Sequence, residues 1–248
     1  MLPPRLKPGV SQSMHTRVSL DQLVDQILAG IRNACDDTVE FTEDFAGPVG
    51  AEYLFSVYVA KAISQLNSGL GWPLKIFIEK NALDFKRACT PPLAKEVGPN
   101  PLLAKSIPRG RVPLVRPGRI DVAVMRDGLW GPIPVCAVEL KGFNPPRSRV
   151  MEDLQRNAEY FEAGATGASE IELTVFATVR SYRKTASQES RVRRVLERQA
   201  ASVTIPSGTS TRVTAVRIRD GSGDEDGWTP QLVVGMVVFS RPAPTTPG

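Results

Sequence analysis

The stretch that decides the fold is Arg119-Ile-Asp-Val-Ala-Val-Met-Arg126, followed after a Gly- and Pro-containing connection by Val135-Cys-Ala-Val-Glu-Leu-Lys141. Both segments are short and apolar, which favours strands. Each contains one acid, Asp121 or Glu139, and Lys141 follows two residues after the second acid. Apolar strands rarely keep charged side chains on an inward face without a use for them. The pattern therefore predicts two neighbouring strands that share a polar site.

The spacing of the two acids predicts how these strands pair. If the connection closes an antiparallel hairpin, its midpoint is Trp130 and Asp121 lies opposite Glu139. Opposed side chains have Cβ atoms about 4.5–5.5 Å apart, and like charges there destabilise the pair. A divalent cation removes that repulsion, because two carboxylates can share one ion. The backbone carbonyl of Leu140 can supply a third oxygen ligand.

Three further side chains complete the predicted site. Lys141 lies one strand repeat from Glu139, close enough to polarise a water bound to the metal. Gln155, on a helix predicted over residues 150–163, can orient this water or the lysine. Glu52, on an earlier helix, can contact the metal through a water, and it equally suits the positive N-terminus of its own helix.

A structural interpretation of the same residues stays open. Glu139 and Lys141 can form an exposed polar edge, and Asp121 can pair with Arg119 or Arg126. No metal is then needed. The two apolar strands and the helix that follows them favour the metal site over this interpretation.

Composition restricts the chemistry of such a site. The chain has 248 residues, 42% of them apolar and 23% charged, which is typical of a globular protein with a substantial core. Its three cysteines are widely spaced, which argues against a disulfide framework and a thiolate zinc site. With His15 as the single histidine, a metal must be held by carboxylates, as hard ions such as Mg²⁺ or Mn²⁺ are.

The positive charge of the chain suits a polyanionic partner. The net charge is +5 and the isoelectric point about 9.3. The residues predicted to bind nucleic acid follow the site: Arg147, Arg149, Arg180, Arg183 and Lys184. A basic helix predicted over residues 187–201 suits either phosphate binding or a solvated surface.

The chain order predicts one α/β domain with a mixed central sheet flanked by helices. Residues 1–17 are expected to form a flexible arm, 18–240 the domain and 241–248 a disordered tail. Ser19 and Gln22 predict a capping box at the start of the first helix, and residues 36–44 an acidic connector after it. A second helix is predicted over 51–66, and Ser148 as the cap of the helix that carries Gln155.

Ile120-Asp121, Glu139-Leu140-Lys141, Gln155 and Glu52 together resemble the motifs of the PD-(D/E)XK nuclease superfamily. The resemblance implies a restriction-endonuclease-like fold with core order αβββαβ over residues 51–179, an extra N-terminal helix and extra C-terminal strands. It also implies Mg²⁺ on Asp121 and Glu139, with Lys141 activating water and Gln155 and Glu52 as accessory residues. Ile120 replaces the proline of the name motif. Tyr160 follows Gln155 by five residues, where the exonuclease-type pattern has four.

These features predict a metal-dependent nuclease that hydrolyses phosphodiester bonds, in DNA rather than RNA. Whether it acts as an endonuclease or an exonuclease is left open. The competing hypotheses are a nucleic-acid-binding or protein-interaction module on the same fold and a scaffold whose acids are ion-paired. The absence of a recognisable specificity segment leaves targeting to a partner protein, and many nucleases of this fold form homodimers. No apolar run is long enough to span a bilayer and no signal peptide is evident, so the cytoplasm is expected.

Overall fold

A computed structural model of the protein describes residues 18–42, 51–68, 73–90, 118–128, 131–162, 169–183, 186–224 and 227–241. The helices in these ranges are α1 (Leu20–Thr42), α2 (Ala51–Ser64), α3 (Ala82–Cys89), α4 (Arg147–Glu159) and α5 (Glu189–Ala200), with a 3₁₀ turn at Gln65–Asn67. The long strands are β1 (Lys75–Asn81), β2 (Arg119–Arg126), β3 (Ile133–Phe143), β4 (Leu173–Tyr182), β5 (Ser210–Arg219) and β8 (Gln231–Ser240). A small hairpin, β6 (Ser222–Asp224) and β7 (Gly227–Thr229), lies between β5 and β8.

The six long strands form one mixed sheet in the order β1-β2-β3-β4-β8-β5. β3 and β4 run parallel, whereas the other neighbouring strands of the sheet are antiparallel. A parallel pair needs a crossover connection, which α4 provides. The predicted α/β class with a mixed, helix-flanked sheet is confirmed.

Helices cover both faces of the sheet. Alternate side chains of the strands pack with α1 and α2 on one face, and with α3, α4 and α5 on the other. The central strands are therefore buried on both sides, which explains their nearly continuous apolar sequences. Cys35, Cys89 and Cys136 are buried within these layers as small core residues, and none of the three forms a disulfide.

The first helix begins as predicted and ends later. The Ser19 amide donates to Gln22 Oε1 over 2.8 Å and the Gln22 amide donates to Ser19 Oγ over 3.1 Å, a complete capping box. The predicted acidic connector is wrong over residues 36–42, which continue α1 through Thr42. The Tyr58 hydroxyl of α2 binds the Asp37 carboxylate, so tertiary contact extends a helix that composition alone would end. The rest of the predicted connector lies outside the described residues.

The start of α4 differs from prediction. Ser148 was expected to cap α4, but the cap position is Pro146 and no side chain caps this helix. The fixed φ of proline, here −64°, suits the entry to a helix, and Ser148 lies in its first turn. Between β1 and β2, Asn81 caps the short helix α3 through a 3.1 Å bond from the Asp84 amide. The predicted arm and most of the predicted tail lie outside the described residues.

Within the described ranges, none of the helices is both long and apolar enough to cross a membrane.

Candidate functional site

The hairpin formed by β2 and β3 has the predicted register from Val122 to Val124, and a bulge then shifts the pairing by one residue at Met125 and Arg126. Val122 pairs with Val138, Ala123 with Ala137 and Val124 with Cys136. Continued by one residue beyond the pair of Val122 and Val138, this register places Asp121 beside Glu139. Burial is the main cause of the raised pKa of Glu139, and the nearby charge of Asp121 adds to it. Trp130, the predicted midpoint, lies outside the described residues.

A third acid lies in the same row, and the sequence did not reveal it. β1 pairs with β2 through Ile78 with Val122 and Lys80 with Ile120, so Glu79 occupies the position beside Asp121. Glu79 itself is left out of the ladder and has φ +57°, a left-handed conformation that is uncommon for a residue other than glycine. Such backbone strain costs on the order of 1–3 kcal/mol and clusters at functional sites.

Asp121 is held by the backbone of the neighbouring strand. Its Oδ2 accepts the Leu140 amide hydrogen over 2.6 Å. Burial raises the pKa of Asp121 from 3.8 to about 6, although this hydrogen bond and the charge of Lys141 oppose the change. The carboxyl is thus fixed in place and exchanges its proton closer to neutrality than an exposed aspartate.

Glu139 is completely buried, with 0% of its surface exposed. Its Oε2 accepts a 2.5 Å hydrogen bond from the Arg156 guanidinium of α4. Burial holds the pKa of Glu139 well above its usual range even though Arg156 opposes this. Glu139 Oε1 is buried and has no hydrogen-bond partner among the described residues. The hypothesis that Glu139 lies on an exposed edge is wrong.

Lys141 lies between three oxygen groups. Its Nζ is 3.3 Å from Asp153 Oδ2, 3.2 Å from the Leu140 carbonyl and 3.8 Å from Glu52 Oε2. Burial alone lowers the pKa of this lysine, but the surrounding carboxylates, Asp153 foremost, raise it above its usual value. Lys141 is therefore a protonated, positioned cation with 12% of its side chain exposed.

Asp153 and Arg156 are the members of this cluster that the sequence did not reveal. Asp153 is 1% exposed and its Oδ1 accepts a 3.1 Å hydrogen bond from Arg156. The buried chain of contacts thus runs from Lys141 through Asp153 and Arg156 to Glu139. The available signal was helical spacing, because Asp153 and Arg156 flank Leu154 on the inward face of α4.

The remaining predicted residues separate into two groups. Glu52, in the first turn of α2, joins the cluster: its Oε1 accepts the Gly142 amide hydrogen over 3.3 Å and its Oε2 faces Lys141. Leu140 contributes its amide to Asp121 and its carbonyl to Lys141. Gln155 is half-buried on α4, and no hydrogen bond or ion pair joins it to the described residues of the cluster. Its role stays a prediction.

The proposed partners of Asp121 in the structural interpretation are engaged elsewhere. Arg119 lies 3.9 Å from Glu79, and Arg126 lies 3.6 Å from Glu172 on the far side of the hairpin. The prediction that either arginine pairs with Asp121 is therefore wrong, because the structure gives Asp121 the Leu140 amide instead.

An open cavity of about 560 Å³ adjoins the cluster. Its polar lining comprises Glu52, Ser56, Glu79, Asp121, Asn144 and Arg149, and its apolar lining comprises Tyr53, Phe143, Pro145 and Pro146. Pro145 and Pro146 lead into α4, whose first turn contains no acid and whose positive end is uncapped. Asp121 thus opens onto a space large enough for a small ligand.

The predicted nucleic-acid-binding residues lie at different distances from this cavity. Arg147 and Arg149 are exposed in the first turn of α4, and Arg149 lines the cavity. Arg180 is half-buried near the end of β4, where burial lowers its pKa. Arg183 is exposed just after β4, and Lys184 lies outside the described residues. Arg149 is therefore the predicted cation most directly placed to meet a ligand.

Comparison of the chain with models of protein families, with curated proteins and with solved structures found no match. Within the described part of the chain, moreover, no three acidic, histidine or cysteine side chains form a ready group for a metal ion.

Proposed function

We propose that this protein is a metal-dependent nuclease of the PD-(D/E)XK type with a restriction-endonuclease-like core, acting on DNA in preference to RNA. The observation that most favours this function is the meeting of Asp121, Glu139 and Lys141 at one end of β2 and β3, where Asp121 lines an open cavity. Residues distant in sequence, Glu52 and Asp153, converge on the same lysine. Such convergence of charged groups in a cleft is typical of a functional site.

The oxygen donors suit Mg²⁺ or Mn²⁺. Asp121 and Glu139 offer carboxylates, and the buried Glu139 Oε1 lacks a hydrogen-bond partner among the described residues. Magnesium is commonly held by one or two protein carboxylates, with water and substrate phosphate completing its shell. A site of this kind needs no third protein acid. When bound, the ion would lower the pKa of a water and offset charge on the phosphate.

The other residues have defined parts in this proposal. The Leu140 amide donates to the Asp121 carboxylate, so a backbone group and not a flexible side chain holds this carboxylate in its orientation. Lys141 is held by Asp153 and is placed to orient the attacking water and to stabilise charge on the phosphate. Arg149, at the cavity wall, would bind a phosphate of the substrate.

The direct test is cleavage of plasmid, linear duplex and single-stranded DNA with Mg²⁺ or Mn²⁺. Asp121→Asn keeps an acceptor for the Leu140 amide, and Glu139→Gln keeps an acceptor for Arg156, so both variants remove a charge and retain the hydrogen bond. We expect these variants and Lys141→Met to lose about 10²-fold or more in rate, as loss of an electrostatic group at a reacting centre does.

The matched control is Glu197→Gln, on the exposed face of α5 beside Arg193 and away from the cavity. It removes the same charge and should cut as the wild type does. Cleavage that persists in all three site variants would disprove the assignment. An RNA substrate cut faster than DNA would reverse the stated preference.

One observation favours a second function, a non-catalytic module whose acids are structural. The 2.5 Å contact between Arg156 and the buried Glu139 neutralises that acid without any metal. In this case isothermal titration would detect no Mg²⁺ or Mn²⁺ binding at millimolar concentration, and DNA binding would not depend on Asp121. Metal binding that Asp121→Asn removes would instead favour the nuclease.

A further inference from the structure

Tyr53 is unlike the other tyrosines of the chain. It is 64% exposed, whereas Tyr160 is buried and Tyr182 half-buried against the core, and Tyr58 is bound to Asp37. Among the described residues, no other large hydrophobic side chain is exposed to solvent. Tyr53 also directly follows Glu52 on α2 and lines the cavity with Asp121. A single exposed hydrophobic side chain is common on protein surfaces, but Tyr53 lies beside the charged lining of a cavity.

The cavity behind Tyr53 has a polar side and an apolar side. Phe143 packs edge-on against the buried Phe55, with ring centroids 6.2 Å apart, so the apolar wall adjoins the hydrophobic core. Pro145 and Pro146 continue this wall. The polar side has one cation, Arg149, and three acids, Glu52, Glu79 and Asp121. The flat apolar wall and Arg149 match the flat base and the anionic phosphate of a nucleotide, and the acids adjoin the proposed metal site.

Resting on the proposed nuclease function, we propose that this cavity binds one unpaired nucleotide of the substrate, with Tyr53 stacked on its base and Arg149 on its phosphate. The volume of about 560 Å³ lies within the range of about 300–1,000 Å³ usual for small-ligand sites. A base inside a duplex has both faces covered by its neighbours, so it cannot stack on Tyr53 unless it leaves the helix. The substrate class is therefore single-stranded or locally unpaired nucleic acid.

The experiment measures binding without cleavage. A short fluorescein-labelled single strand, the matched duplex, and the same strand with abasic sites are titrated with the full chain in EDTA. We expect Tyr53→Ala to weaken binding of the single strand about 5- to 150-fold, the range for loss of one base-stacking contact, and Tyr53→Phe to retain it. The abasic strand should bind both proteins equally, because it has no base to stack.

Arg149→Gln is the comparison variant. It should weaken binding of the single strand and the abasic strand by the same factor. The slope of log affinity against log salt concentration should fall by about one, as expected for the loss of one phosphate contact. Because Tyr53 is exposed, Tyr53→Ala should unfold at the same temperature as the wild type. The subsite is disproved if Tyr53→Ala binds single strands normally, or if it loses the same factor on single, abasic and duplex probes.

Different results would disprove the nuclease and the nucleotide subsite. Stacking that depends on Tyr53 in a protein that cuts nothing with Mg²⁺ would disprove the nuclease and uphold the subsite. Cleavage that depends on Asp121 but is unaffected by Tyr53→Ala on every substrate would uphold the nuclease and disprove the subsite.

Discussion

At the scale of single residues, the contact between Glu139 and Arg156 has the largest energetic consequence. Both groups are buried, and each offsets the charge of the other in a region from which water is excluded. Replacement of a buried ion pair by neutral groups is often tolerated. Removal of one partner leaves the other charge buried and uncompensated, which costs about 3–5 kcal/mol. The pair can thus stabilise the fold without being optimal for it.

This asymmetry predicts the outcome of a double-variant cycle. Arg156→Met should lower the free energy of unfolding by about 3–5 kcal/mol, because Glu139 is left buried without its cation. Adding Glu139→Gln should recover most of that loss. Urea unfolding of both single variants and the double variant measures the coupling.

Arg193→Met provides the comparison, since Arg193 pairs with Glu197 at 2.8 Å on an exposed face of α5. That change should cost less than about 1 kcal/mol. Additive effects of Arg156→Met and Glu139→Gln would show that the two buried groups do not stabilise each other.

At the scale of secondary-structure elements, the position of α2 decides where Glu52 and Tyr53 stand. α1 packs closely against α2 at Gly30, where an added Cβ would lie 2.6 Å from Val59 Cα and 2.8 Å from the Tyr58 carbonyl oxygen. These are backbone atoms, so the helices themselves must separate to admit a methyl group. Gly30 therefore allows α1 and α2 to pack this closely.

Gly30→Ala should consequently affect both stability and function. Overpacking of this kind costs about 1–3 kcal/mol, which offsets the better helix propensity of alanine. Because α2 shifts with Glu52, we expect slower cleavage per folded molecule as well. Thermal unfolding and initial rates at matched folded fractions measure the two effects.

Gly235→Ala distinguishes the functional effect from simple destabilisation. Its Cβ would meet Leu196 Cδ1 at 2.5 Å and Val192 Cγ1 at 2.8 Å on α5, away from the cavity. This variant should be destabilised and yet cut normally. Equal loss of rate in the two glycine variants would contradict a special role for the α1–α2 contact.

The elements also show what the sequence could predict. The register of β2 and β3 followed from the positions of Asp121 and Glu139 and the short connection between them, because a hairpin leaves few ways to pair. The register of β1 did not, since residues 82–118 separate it from β2 and give no local rule for pairing. Glu79 was missed for this reason. Asp153 and Arg156 were missed because their meaning depends on how α4 lies over β3, which only tertiary packing decides.

At the scale of the whole molecule, proton binding by one carboxyl is linked to the stability of the entire domain. Asp121 has a pKa of about 6 in the folded protein and an ordinary value of 3.8. Between these values the unfolded chain binds fewer protons than the folded chain, so folding stability falls as pH rises from about 4 to about 6. Asp121→Asn removes this group and should flatten the dependence over the same window.

A bound cation would oppose that trend. Mg²⁺ binds the ionised carboxylate, and only about a tenth of Asp121 is ionised at about pH 5. At a hundredfold excess over its dissociation constant, Mg²⁺ should therefore stabilise the folded protein by about 2.7 kcal/mol at about pH 8 and by about half of that at about pH 5. Thermal unfolding with and without Mg²⁺ at the two pH values measures this linkage. Asp127→Asn, an exposed acid paired with Lys75, should behave as the wild type does. A Mg²⁺ effect that is equal at both pH values, or that survives Asp121→Asn, would place the cation elsewhere on the molecule.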